Sequence, residues 1–270
     1  MRYVLRYEDV ARIHLGFSGI LLEQLCSPHI IESFSAILDL NGVMRGYPAA
    51  RGIEFLGMGY YHPLFPLIPM EDWKPQIERW KQQAKALGLS AQGFWPPEMG
   101  FCMEMIPVLK DTGFKYVVVD SVHVKPKSGK MRREDIMYKP HIAEYNSAEI
   151  VVIPRDRDIS NAQESGLDPN WFEHEVMHKT ERCEGNCLLT TWSDGENGGW
   201  FRQMHEPSGF WGHFFAPYME EVRKGNYPIT PIKISEYIEE NPPSSYVEVR
   251  TGAWNVANTS GYDFSQWEGT

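Results

Sequence analysis

Apolar positions fall into two patterns that alternate along this chain. Short apolar-rich runs read as strands: Ile13 to Phe17, Ile53 to Leu56, Tyr116 to Val119 and Ile150 to Ile153. The last two suit burial on both faces of a sheet. Between the runs, spacing turns helical. Gly19 leads into Ile20 to Leu25, Pro28 opens a helix reaching Leu38, and a third covers Val43 to Ala50. The clearest helix repeats Trp73, Ile77, Trp80, Ala84 and Leu87, with Lys, Glu, Arg and Gln on its other face, and Gly88 stops it. Its Trp pair reads as core.

Further helices are predicted at Met103 to Lys110, Trp171 to Arg182, Phe214 to Lys224 and Ile234 to Glu240. Strands are predicted just before Trp95, at Cys187 to Trp192 and at Tyr246 to Arg250. Lys125 to Lys139 reads as a flexible, charged insertion. With no internal repeat and no linker, strand and helix alternation predicts one domain over 1–270. Its parallel sheet has helices outside and is most economically a barrel or near-barrel.

The polar candidates then fall into place, each just after a strand. His62 follows the second and Glu98 the third. Asp120 and His123 follow the fourth, and Asp194 and Glu196 the sixth. In a parallel barrel those loops share one rim, where active sites of this architecture lie. Gly93-Phe94-Trp95-Pro96-Pro97-Glu98-Met99-Gly100-Phe101 organises the rest. Two prolines stiffen a turn, and a carboxylate stands beside an indole face suited to stacking on a pyranose ring. Two carboxylates from separate loops about 5 to 5.5 Å apart would serve a retaining glycosidase.

Composition narrows the partner. A net charge of −10 argues against duplex nucleic acid and anionic membranes. Aromatic content of 13% favours a neutral, ring-shaped ligand. No signal-type start and no membrane-length apolar run occurs, so the chain reads as soluble and cytoplasmic. Cys26, Cys102, Cys183 and Cys187 match no zinc ribbon or thioredoxin-type spacing and read as reduced thiols.

These residues resemble glycoside hydrolase family 57. Gly57-Met58-Gly59-Tyr60-Tyr61-His62-Pro63 with Pro66-Leu67, then Gly93 to Glu98, then Asp194-Gly195-Glu196-Asn197 look like its second, third and fourth conserved regions. Trp254 with Asp263-Phe264-Ser265-Gln266-Trp267 resembles the fifth. The resemblance implies a seven-stranded (β/α) barrel acting on α-glucans, with Glu98 as nucleophile and Asp194 as general acid/base. His62, Trp95 and Glu196 would line the sugar site, and no metal or organic cofactor is implied. Asp120, His123, Trp200, Trp254 and Trp267 complete the expected substrate-binding set.

Members of that family open with a His-x-His-Gln-Pro type strand, and Met1 to Val10 contains none. The expectation is therefore an incomplete (β/α)7 barrel missing its first strand and lacking the C-terminal helical region of longer members. Two other readings stand beside it. A sugar-binding relative could keep the acids and lose turnover. His174-Glu175-Val176-Met177-His178 matches the H-E-x-x-H pattern of zinc peptidases, although the charged Lys179-Thr180-Glu181-Arg182 that follows is unlike a buried metal helix.

Overall fold

The computed structural model describes residues 2–164, 168–195, 209–254, 264 and 267. Its elements in order are α1 (Arg2–Arg6), β1 (Ile13–Gly16), α2 (Gly19–Leu25), α3 (Pro28–Phe34), α4 (Leu40–Gly46), β2 (Ile53–Gly57), α5 (Met70–Ala86), β3 (Ala91–Phe94), α6 (Ile106–Asp111) and β4 (Tyr116–Asp120). Then come β5 (Val124–Pro126), α7 (Arg133–Met137), β6 (His141–Tyr145), β7 (Ala148–Arg155), α8 (Arg157–Glu164), α9 (Pro169–Thr180), α10 (Ala216–Arg223), α11 (Ile234–Glu240) and β8 (Tyr246–Val249).

The strands form a single sheet in the order β1-β2-β3-β4-β7-β6-β8-β5. From β1 to β7 every pairing is parallel, as expected of a barrel wall. The far end is mixed: β6 runs antiparallel to β7, and β5 antiparallel to β8. Among the described residues the sheet does not close, and β1 and β5 are its edges.

The uninterrupted apolar run of β4 follows from its two-sided burial. Tyr116 and Val118 point into one cluster with Phe55, Trp95, Ile153, Trp192 and Trp254. Val117 and Val119 point into another with Ile77, Phe94, Ile106, Leu109 and Val152. Alternate Cβ atoms of a strand face opposite sides, so a polar residue at any of these positions would be buried. The amphipathic helix α5 lays Trp73, Ile77, Trp80 and Ala84 against this wall.

Two segments depart from expectation. Lys125 to Lys139, expected to have no regular structure, contributes to β5 and forms α7, and several of its charges pair. Lys125 opposes Glu248 across β5 and β8 at 2.9 Å, and Asp135 holds Arg132 at 2.8 Å and Lys139 at 2.7 Å. Cys187 to Trp192 does not join the ladder. Side chains and loop ends anchor it instead: Asp156 N donates to the Thr190 carbonyl at 2.9 Å, Thr190 Oγ1 to the Pro154 carbonyl at 2.8 Å, and Trp192 N to Ser160 Oγ at 3.0 Å. It still runs along the C-terminal end of β7, where the sixth strand was expected.

Candidate active site

The loop after β3 presents Glu98. Pro97–Met99 makes one tight turn in which Glu98 has φ 56° and Met99 φ 52°. Side chains disfavour this left-handed region by about 1 kcal/mol or more per residue, so the surroundings must impose it. They do so through backbone bonds. Trp95 N donates to the Gly57 carbonyl at 2.8 Å, Met99 N to the Pro96 carbonyl at 2.8 Å, and Trp254 N to the Glu98 carbonyl at 3.0 Å. A bridge between Phe101 and Gly252 ties the chain after β8 to the same loop.

Two side chains hold the carboxylate. Trp254 Nε1 donates to Glu98 Oε2 at 2.8 Å, and His62 Nε2 lies 3.4 Å from Oε1. His62 reaches it from the loop after β2, where its own φ is 57° and Tyr61 N is fixed to Gln76 Oε1 at 2.9 Å. The His62 contact holds the Glu98 carboxyl below the usual range; burial opposes this and the Trp254 donor reinforces it. The group is therefore kept as an anion while remaining partly open, with 28% of its side-chain surface exposed. An exposed, oriented, ionised carboxylate is what a nucleophile requires.

Asp194 follows the segment anchored to β7. It lines a cavity of about 730 Å³ with His14, Thr190, Trp192, Trp211 and Tyr237. Glu98 is not among that cavity's lining residues. Indole rings join the two loops: Trp95 packs on Trp192 with ring centres 5.1 Å apart, and on Trp254 at 5.7 Å. Three indoles thus stand between the turn of Glu98 and the segment of Asp194.

The structure places other expected site residues in supporting positions. Asp120 has no exposed surface, and its Oδ2 takes Arg155 at 3.2 Å and Arg157 at 3.0 Å. His123 is buried, with Nε2 3.0 Å from the Ala253 carbonyl. Burial holds its pKa below the usual imidazole value. Gly252 packs directly on this ring, and a Cβ there would stand 2.4 Å from His123 Cε1. Neither Asp120 nor His123 is brought to the open side of the site; both pin the strand ends beneath it. Trp267 packs half-buried beside Phe264. Glu196 and Trp200 lie outside the described residues.

On α9 both imidazoles of the H-E-x-x-H match are exposed, with nearly parallel rings 6.4 Å apart. Among the described residues no group of three His, Cys, Asp or Glu side chains is arranged to hold a metal. Sequence reasoning passed over Arg155 and Glu54. Glu54 is a charged residue inside a buried run, and that was the available signal. It accepts from Tyr116 Oη at 2.7 Å and from Ser235 Oγ at 2.9 Å, with His14 Nε2 at 3.4 Å.

Comparison with known proteins identifies the family. The sequence pattern of Glycosyl hydrolase family 57 matches residues 6–250. The chain belongs to glycosyl hydrolase family 57. A 4-alpha-glucanotransferase of Thermococcus litoralis is 32% identical over 259 residues, 95% of this chain and 36% of that protein. An alpha-amylase of Pyrococcus furiosus is 34% identical over 261 residues, again 95% and 36%. This family 57 chain therefore spans about 36% of the length of those curated relatives.

Solved structures share the fold. The Thermococcus litoralis 4-alpha-glucanotransferase superposes with TM-score 0.69 at 22% identity, covering 93% of this chain and 35% of that one. The alpha-amylase AmyC of Thermotoga maritima gives 0.72 at 13% identity, covering 96% and 71%. As a family 57 fold, the architecture is α/β of the (β/α)7-barrel type, open between its edges among the described residues.

Proposed function

We propose that this chain is a retaining glycoside hydrolase or transglycosylase domain acting on α-glucans. Glu98 attacks the anomeric carbon, and Asp194 gives its proton to the departing glycosidic oxygen. A glycosyl ester forms on Glu98. Asp194, now a carboxylate, takes a proton from water or from an acceptor hydroxyl as that oxygen displaces Glu98. In this mechanism Asp194 begins protonated.

The observation that carries the reading is the holding of Glu98. A residue in a strained turn, kept ionised by His62 and Trp254 and set beside an indole cluster, is costly unless its charge is used. Family membership supports the reaction class, and relatives named 4-alpha-glucanotransferase and alpha-amylase support the glucan substrate. The chain works as one catalytic domain, since β1, β4 and Trp254 share one core cluster. A cytoplasmic setting fits the four free cysteines. Among the described residues no helix is long and apolar enough to cross a membrane.

The test is proton NMR of the purified chain acting on a maltooligosaccharide. Retention gives the α-anomer first, before mutarotation. Glu98→Gln and Asp194→Asn should each abolish turnover while leaving glucan binding measurable. A β-anomer as first product contradicts the reading. So does glucan binding by the wild-type chain with no turnover, which would select the sugar-binding alternative.

A further inference from the structure

Arg155 ends β7 and has only 3% of its side chain exposed. A buried guanidinium is expensive, and it is tolerated only when its donors are met. Here they are met by groups from different parts of the site. Nε donates to the Trp192 carbonyl at 3.0 Å, two residues before Asp194. NH1 donates to Asp120 at the end of β4 at 3.2 Å, and NH2 to Asn161 on α8 at 3.2 Å. Its cationic plane also lies over the Trp254 ring, 5.5 Å from the centre. Trp254 is the indole that donates to Glu98.

The neighbouring Arg157 does not duplicate this geometry. It shares Asp120 at 3.0 Å and is more exposed. The segment bearing Asp194 lies outside the sheet ladder, so Arg155 supplies one of the few bonds fixing it to the wall. Arg155 is not among the influences on the Glu98 carboxyl, which come from His62, burial and Trp254. Its effect there is mechanical.

We infer that Arg155 is a positioning residue for the acid/base carboxylate: through the Trp192 carbonyl it fixes the segment carrying Asp194, and through the Trp254 ring it registers that segment against Glu98. This rests on the reading of Glu98 as nucleophile and Asp194 as acid/base. A displacement of about 1 Å at a catalytic group costs on the order of a hundredfold in rate. Lysine keeps the charge but lacks the planar fork that reaches three acceptors at once.

The experiment compares two substrates on the full chain, a maltooligosaccharide and α-maltosyl fluoride. Fluoride leaves as an anion without needing a proton, so its displacement by Glu98 bypasses Asp194. Arg155→Lys should lower kcat on the oligosaccharide about a hundredfold with KM changed less than about threefold. It should largely retain the burst of fluoride release, and azide, which attacks the glycosyl ester without a base, should restore turnover. Asn161→Ala removes the partner of NH2 and should shift the fluoride-to-oligosaccharide rate ratio in the same direction by a smaller factor. That variant serves as the reading if Arg155→Lys does not fold. Arg157→Lys should leave the ratio unchanged. An equal loss on both substrates, or an unmoved ratio in an active wild-type background, overturns the role of Arg155 alone. A wild type that cleaves neither substrate overturns it together with the assignment of Glu98 and Asp194.

Discussion

Trp254 holds Glu98 twice: its indole donates to Oε2 at 2.8 Å and its backbone amide donates to the Glu98 carbonyl at 3.0 Å. One residue near the end of the chain thus fixes both the charge and the backbone of the proposed nucleophile. The two roles separate experimentally, because only the first depends on the side chain.

Trp254→Phe keeps the amide bond and the ring but removes the donor. A hydrogen bond to an ionised group is worth roughly 1.5 to 3 kcal/mol, so kcat/KM should fall at least about tenfold. The acid limb of the pH–rate profile should also move up. Glu98 must be ionised to attack, and its lowered pKa carries activity further into acid; losing a donor forfeits part of that range. His62→Ala should move the limb further in the same direction, since His62 is the larger influence. A limb that stays put in both variants would mean that another group sets it.

Glu54 controls stability rather than chemistry. Burial alone would raise its carboxyl, but His14, Tyr116 and Ser235 override this and hold it at about 2, from 4.5. Between those values the native state binds fewer protons than the unfolded chain, so stability rises with pH. The contribution is complete above about pH 4.5 and is lost as pH falls toward about 2, on the order of 3 kcal/mol in all. Glu54→Gln should lower stability at neutral pH and flatten the acid side of the denaturation profile. Urea midpoints measured from pH 2 to 7 read both effects, and an unchanged slope would show that Glu54 is not the titrating group.

Asp120 tests the floor of the site. Asp120→Asn leaves two guanidinium groups without their shared anion in a buried position. Breaking such a pair costs about 3 kcal/mol or more, visible as a lower Tm. A Tm within error of the wild type would show that the network beneath the rim is not structural.

Much of this arrangement was legible because burial writes directly into composition. The runs at β4 and β7 are apolar because both faces are covered, and the Trp73 to Ala84 stripe is one-sided because α5 is. Pro96-Pro97-Glu98 announced a stiff turn, and the structure adds the positive φ that a sequence does not display. Elements held by charge or by edge pairing were harder to see. β5 hides in a lysine-rich stretch because only Val124 enters a core, while Lys125 and the following Lys127 pair with Glu248 and Glu144. The β6–β7 hairpin turns on Asn146 and Ser147, both at positive φ, where an Asn-Gly pair would have been conspicuous. The Cys187 to Trp192 run carries the apolar residues of a strand, yet its hydrogen bonds go to Tyr138, Pro154, Arg155, Asp156 and Ser160 rather than to a ladder. Periodicity reports burial of side chains and is silent on which backbone partner is chosen.

Covalent trapping addresses the central claim most directly. Incubation with a 5-fluoro-α-glycosyl fluoride, whose slow second step lets the ester accumulate, followed by peptic digestion and mass spectrometry, identifies the residue that bonds to sugar. The prediction is a single glycosylated peptide containing Trp95 to Phe101, with fragmentation placing the label on Glu98 and no label in Glu98→Gln. A label on any other carboxylate, or a turnover-competent chain that never becomes labelled, would contradict it.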